Sequence, residues 1–267
     1  MKSILHYLFC LLTLSVLLSC GSEKEGEYDI YLFIGQSNCA GRGYMLEQDT
    51  LQVMEGVWLL NDSGVPEPAK APLNRYSNIR KDLSMQMIGP AYGFAPVVRE
   101  RTGRKILLIQ NAKGGSALGE WQNEDSLGVT FLDKTLERAV PALQYGKLKG
   151  IIWHQGETDT SNGTAGEIYV RRFSKMISRL RQELHAGDEV PVLVGELGQW
   201  GWEKEELIQS FNDSTLVELA RQVPNCHKVE SDGLECRSPE NLTDPHFSRA
   251  SNIELGKRYA EAIGKLP

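Results

Sequence analysis

Five short apolar runs, set apart by stretches of helical pattern, constrain this chain more than any other feature. They are YDIYLFIG (28–35), KILLIQNA (105–112), KGIIWHQG (149–156), PVLVGEL (191–197) and HKVES (227–231). Several are continuously apolar rather than alternating, as strands covered on both faces are. The stretches 91–101, 131–144, 165–185, 204–222 and 249–263 read as helices. Residues 133–143 and YVRRFSKMISRLRQEL keep apolar side chains three and four apart, the spacing of one helix face. Strand alternating with helix predicts an α/β fold, a parallel sheet with helices on both sides. No repeat or internal linker interrupts it.

That fold fixes where a site can be, because open parallel sheets bind ligands beyond the carboxyl ends of their strands. After the first run comes Gly35-Gln36-Ser37-Asn38, and after the second Asn111-Ala112-Lys113-Gly114-Gly115-Ser116. The third ends in Trp153-His154-Gln155-Gly156-Glu157-Thr158-Asp159, and the fourth leads into Glu196 to Trp202. Beyond the fifth, before the last helix, stands Asp244-Pro245-His246-Phe247-Ser248. Residues of catalytic type therefore collect along one edge.

A serine hydroxyl attacks an ester only with a base to take its proton, an acid to orient that base and donors for the oxyanion. Ser37, at a strand-to-helix turn, is the candidate nucleophile. Its own N–H lies at a helix start, where donors are unpaired. Gly114-Gly115 can present another N–H, and Gln155 a side-chain N–H. His246 is the candidate base, and its orienting carboxylate is Asp244 or Glu157. Each has an ordinary alternative: a helix cap for Ser37, a plain turn for the glycines, a surface role for Gln155 and Glu157, a structural histidine for His246. Their joint occurrence at successive strand ends favours the site.

GQSN near the start, GGS…W in the middle, WHQGETD after the third strand and HFS…LGKRYAEA at the end resemble the SGNH-type hydrolases. Within these they resemble the carbohydrate esterase group holding sialate O-acetylesterases and acetylxylan esterases, over nearly all of residues 28–264. The resemblance implies a three-layer α/β/α sandwich of flavodoxin-like type, around a parallel sheet of about five strands, in one esterase domain at 28–267. It implies Ser37 as nucleophile, His246 as base and an oxyanion hole from Ser37 N–H, Gly115 N–H and the Gln155 side chain. One departure bears on the acid. The wider family usually has Asp three residues before the histidine, where this chain has Thr243, and Asp244 is only two before it. The Glu of HQGE is the alternative, so Glu157 is preferred to Asp244, with both left open. Gln36, Asn38, Arg42, Trp121 and His154 are expected on the substrate. Trp121, Trp200 and Trp202 could equally stack on sugar rings or pack internally. The implied reaction removes an acetyl group from a carbohydrate through an acetyl-serine intermediate, and needs no metal or organic cofactor.

The N-terminus differs from the rest. Lys2 precedes an apolar run through Cys20, short for a membrane span and placed as a signal peptide. Leu17-Leu18-Ser19-Cys20 resembles a bacterial lipobox, which implies a signal peptide at 1–19, lipid on Cys20 and a polar tether over 20–27. A lipid-anchored protein of the bacterial cell envelope, periplasmic or at the surface, is then expected. In such a compartment Cys226 and Cys236, ten apart, could form a disulfide, and the sequence leaves this open. Cys39 reads as a small buried residue. A net charge of −6 without a basic run argues against nucleic acid. Two rivals remain: a metal-dependent hydrolase using His154, Glu157, Asp159 and His246, and a surface lipoprotein that binds glycans without turnover.

Overall fold

A computed structural model describes residues 28–266 apart from 81, 123–127, 201–203 and 242. Residues 1–27, including Cys20, lie outside the described residues. Seven strands form one sheet in the order β3-β2-β4-β1-β5-β6-β7. They are β1 (Tyr28–Gly35), β2 (Val57–Leu60), β3 (Pro66–Pro68), β4 (Ile106–Ala112), β5 (Gly146–His154), β6 (Val192–Gly195) and β7 (Cys226–Val229). Every pairing is parallel except β2 with β3. The five expected strands are all present, and the expected count of about five becomes seven. The two additions form a hairpin too short for period-based detection. Asn61 closes it, its side-chain oxygen accepting the N–H groups of Ser63 and Val65 at 3.0 and 2.9 Å, as Asn does in turns. Proline at both ends of β3 suits an edge strand.

The helices are α1 (Ser37–Ala40), α2 (Glu47–Leu51), α3 (Pro90–Thr102), α4 (Leu118–Trp121), α5 (Phe131–Ala142), α6 (Glu157–Asn162), α7 (Glu167–Glu183), α8 (Glu205–Ser210), α9 (Leu216–Gln222) and α10 (Arg249–Gly264). The stretch expected as one helix at 204–222 is α8 and α9 joined by a π turn over Phe211–Thr215.

Strand β1 shows why both faces must be covered. Ile30, Leu32 and Ile34 join one apolar cluster with Leu136 of α5 and Phe173 of α7. Tyr31 and Phe33 join the opposite cluster with Phe94 of α3 and Tyr259 of α10. Successive side chains point to opposite faces, so an all-apolar strand requires helices on both. Phe94 packs edge-on against Tyr31 and Phe33, ring centroids 4.9 and 5.1 Å away. Burying a ring of that size stabilises by roughly 1.5–3 kcal/mol.

β1 lies between β4 and β5, in register from Asp29–Ile106 to Gly35–Ala112 on one side and ending at Gly35–His154 on the other. The three strands therefore deliver Gly35, Ala112 and His154 to one level. The C-terminal loop reaches the same edge because Ser248 caps α10, its hydroxyl accepting the Ser251 N–H at 3.1 Å. Asn252 adds bonds to the carbonyls of Phe247 and Ser248. Cys39, Cys226 and Cys236 are buried free thiols, so the open question of a Cys226–Cys236 bridge is answered in the negative. Cys226 packs in the cluster around Phe173, whereas the Cys236 thiol donates to the Asp244 carbonyl at 3.2 Å.

Candidate active site

The turn that carries Ser37 depends on Gly35. Its φ is +139°, and a Cβ there would lie 2.1 Å from the His154 carbonyl oxygen. Only glycine permits that approach. Gln36 N–H donates to the same carbonyl at 2.9 Å, and Ser37 opens the four-residue α1. Ser37 lines a cleft of about 410 Å³ together with Arg42, Gly114, Gly115, Glu157 and His246. Among the described residues, the N–H groups of Ser37 and Gly115 have no protein acceptor, so both remain available to an oxyanion. A larger groove, about 620 Å³, runs beside Val170 and Thr215 and holds none of the expected site residues.

His246 approaches from the loop before α10. Its Nδ1 is 2.5 Å from Asp244 Oδ1, which also accepts the His246 backbone N–H at 3.1 Å. Asp244 Oδ2 accepts Arg237 Nε and Nη2 at 2.9 and 2.6 Å and the Ser238 hydroxyl at 3.2 Å. Burial alone would raise the Asp244 carboxyl, but the Arg237 hydrogen bonds and the charge of His246 outweigh it and hold the group low. Burial pushes His246 down to about 4, against the opposing pull of Asp244 and with help from Arg237 and Arg42. The imidazole is therefore neutral at neutral pH, as a proton acceptor must be. Nδ1 is engaged by Asp244, which leaves Nε2 for the cleft. Among the described residues no hydrogen bond joins the Ser37 hydroxyl to His246, although both line the same cleft. Such contacts commonly close only when substrate binds.

The position beside His246 is thus held by Asp244, against the preference for Glu157. The one-residue shift from Thr243 does not prevent the contact, because Asp244 Oδ1 meets both the backbone N–H and Nδ1 of His246. Glu157 instead accepts Asn38 Nδ2 at 2.6 Å through Oε1, and its Oε2 is buried without a partner. Burial raises this carboxyl to about 7.

Four other expectations need correction. The Gln155 amide does not face the cleft: it is fully buried, the two hydrogens of its Nε2 shared among Gln36 Oε1, the Ser116 carbonyl and Asp159 Oδ2 at 3.1, 2.9 and 2.7 Å. With its hydrogens so engaged, it has none for an oxyanion. His154 is fully buried with Nδ1 2.8 Å from the Tyr259 hydroxyl, beneath the cleft rather than on substrate. Trp121 is fully buried, edge-on to Trp153, with Nε1 donating to the Ser116 hydroxyl. It packs the core and cannot stack on a sugar. Asn38 is also fully buried, bonded between the two loops. Trp200 packs edge-on to Phe247 and donates to the Asp244 carbonyl at 3.1 Å, anchoring the His246 loop. Trp202 lies outside the described residues.

Two expected residues do reach the cleft. Gln36 lines it, its Oε1 held by Gln155 and its Nε2 without a protein acceptor among the described residues. Arg42 lines it too, with a single side-chain hydrogen bond among the described residues, to the Gly41 carbonyl. Burial, then Arg80 and Arg237, lower this guanidinium to about 10, which still leaves it charged. The sequence reading missed Arg80, a further cleft cation, and Arg237, which also stacks over the Tyr44 ring. No motif marks either, since their roles rest on contacts made only in the folded chain. The donors of the metal reading do not converge: among the described residues no three His, Cys, Asp or Glu side chains are grouped to share an ion.

Comparison with known proteins identifies the family. Residues 27–265 match the family described as carbohydrate esterase, sialic acid-specific acetylesterase. A probable carbohydrate esterase of Arabidopsis thaliana is 25% identical over 252 residues, 87% of this chain and 89% of that one. Its crystal structure superposes with a TM-score of 0.74 at 22% identity, covering 90% of this chain and all of that one. NanS gives 0.65 at 18% identity, over 90% of this chain and 98% of that one. A carbohydrate acetylesterase from Xanthomonas citri gives 0.61 at 21% identity, over 89% of this chain and 56% of that one. With the family match spanning nearly the whole described chain, this protein belongs to the sialic acid-specific acetylesterase family of carbohydrate esterases and is a carboxylic ester hydrolase.

Proposed function

We propose that the protein removes O-acetyl groups from an acidic sugar, an O-acetylated sialic acid rather than acetylated xylan, by double displacement at Ser37. The observation that carries the chemistry is His246 held through Nδ1 by Asp244 in the cleft that Ser37 lines. Ser37 Oγ attacks the acetyl carbonyl while His246 Nε2 accepts its proton. The resulting oxyanion is met by the N–H groups of Ser37 and Gly115. The intermediate collapses to acetyl-Ser37, and the imidazolium returns the proton to the departing sugar oxygen. Water, deprotonated by His246, then attacks the acyl carbon, and acetate leaves as Ser37 regains its proton. One oxyanion donor is commonly worth on the order of 10²–10³ in rate.

The choice of sugar is supported by charge. The chain as a whole carries −6, yet Arg42 and Arg80 line the cleft without a carboxylate partner among the described residues. A sialic acid supplies a carboxylate and xylan does not. Acetate release from 9-O-acetylated sialic acid and from acetylated xylan tests both parts. Wild type should favour the acidic sugar, Ser37→Ala should release nothing, and Arg42→Gln should raise KM for the acidic sugar alone. Turnover by Ser37→Ala overturns the acetyl-serine route, and equal use of xylan overturns the substrate. The proposal includes a lipid anchor on Cys20 at the cell envelope, checked by radiolabelled palmitate incorporation that Cys20→Ser should abolish.

A further inference from the structure

The Asn38 side chain touches the His246 loop on both sides of the histidine. Its Nδ2 donates to the Pro245 carbonyl at 2.9 Å, and its Oδ1 accepts the Phe247 N–H at 3.2 Å. The second Nδ2 hydrogen goes to Glu157 Oε1 at 2.6 Å. Both hydrogens and the oxygen of this fully buried amide are thereby engaged. Asn38 is also the residue bonded to Ser37, so one short, immobilised side chain spans from the nucleophile helix to the residues flanking the base. We infer that Asn38 is a positioning residue that sets where His246 stands relative to Ser37, and that Glu157 fixes the orientation of Asn38.

The hydrogen bonding dictates which way round the amide lies. Pro245 has a carbonyl and no N–H, and the Phe247 carbonyl is already taken by Asn252, so Asn38 must present nitrogen to one and oxygen to the other. Glu157 Oε1 gives the remaining hydrogen an acceptor and so disfavours the flipped amide. An acceptor oxygen suffices for this, and a negative charge is not required. Among the described residues Glu157 Oε2 is buried without a hydrogen-bond partner, a costly feature in keeping with a carboxyl retained for its other oxygen. Positional errors of about 1 Å between reacting groups cost about 10²-fold in rate, which sets the expected scale.

The test compares Asn38→Ala, Glu157→Ala and Glu157→Gln by two readouts: p-nitrophenyl acetate hydrolysis and hydrogen exchange at the Phe247 amide. The rate readout rests on the esterase reading, whereas the exchange readout needs no substrate. Asn38→Ala and Glu157→Ala should lower kcat by about 10²-fold with KM within about twofold. Glu157→Gln, whose side-chain oxygen still accepts from Asn38, should restore kcat to within about threefold of wild type. Phe247 exchange should accelerate at least about tenfold in Asn38→Ala, since its acceptor is gone. Glu157→Gln as impaired as Glu157→Ala overturns the inference and returns the charge of Glu157 to the mechanism. Wild-type kcat or unchanged Phe247 protection in Asn38→Ala also overturns it. Should Asn38→Ala not fold, the two Glu157 variants decide alone. A wild type without esterase turnover sinks the functional reading, while the exchange rates still judge the brace.

Discussion

The turn at 154–159 and the loop at 243–248 look alike on paper, each offering a histidine and at least one carboxylate beyond a strand. Folded, they differ in what surrounds the acid. Asp244 has Arg237 on one oxygen and His246 on the other, and stays ionised. Glu157 has the neutral Asn38 amide and nearby backbone N–H groups but no cation among the described residues, and burial drives it toward the protonated form. The histidines diverge too. His154 is sealed in the core against Tyr259, whereas His246 reaches the cleft. A carboxylate orients a histidine effectively when a cation keeps it charged, and residue type alone does not reveal whether that cation is present.

The sharpest way to break this comparison is Asp244→Asn. If Asp244 orients the base, kcat should fall by on the order of 10³–10⁴, measured by acetate release with folding checked by circular dichroism. A loss under tenfold would return the acid role to another group.

Next in size is Gln155→Leu, which strips Asp159 of a buried donor at 2.7 Å. Asp159 keeps the Leu118 N–H and the Thr164 hydroxyl, so losing one hydrogen bond to this buried carboxylate should cost about 2 kcal/mol of stability, read by urea unfolding. A member of the oxyanion hole would instead show its loss mainly in kcat.

Glu157 adds a pH effect on stability of comparable size. Its folded value of about 7 lies above the ordinary value of 4.5. The stabilisation of its neutral form is thus complete below about 4.5 and lost as pH rises through about 7. Relative to Glu157→Gln, wild type should weaken across that window by up to about 3 kcal/mol, followed by urea unfolding at stepped pH. A constant difference would mean that Glu157 is charged throughout.

The smallest effect concerns His246. With its value pushed down to about 4, kcat/KM should stay level at neutral pH and fall only as acid protonates the base. Arg42→Gln removes a neighbouring positive charge and should move that acid limb slightly upward in pH. A downward move would contradict the placement of Arg42 near the ring.

The sequence by itself determined the sheet, its helical cover and the edge where the site forms. Periodicity and continuous apolar runs report burial on one or two faces, and such local patterns survive without knowledge of neighbours. It likewise singled out Ser37, Gly115 and His246, because a strand followed by a tight turn places its next residues at that edge whatever the rest does. The hairpin at 57–68 escaped because three or four residues carry too little period. Only tertiary structure put Asp244 rather than Glu157 beside His246, took Gln155, His154 and Trp121 into the interior, and brought Arg237 and Arg80 near the cleft. Those outcomes depend on which buried partner each polar group meets, and electrostatic and hydrogen-bond energies act through space between residues far apart in the chain.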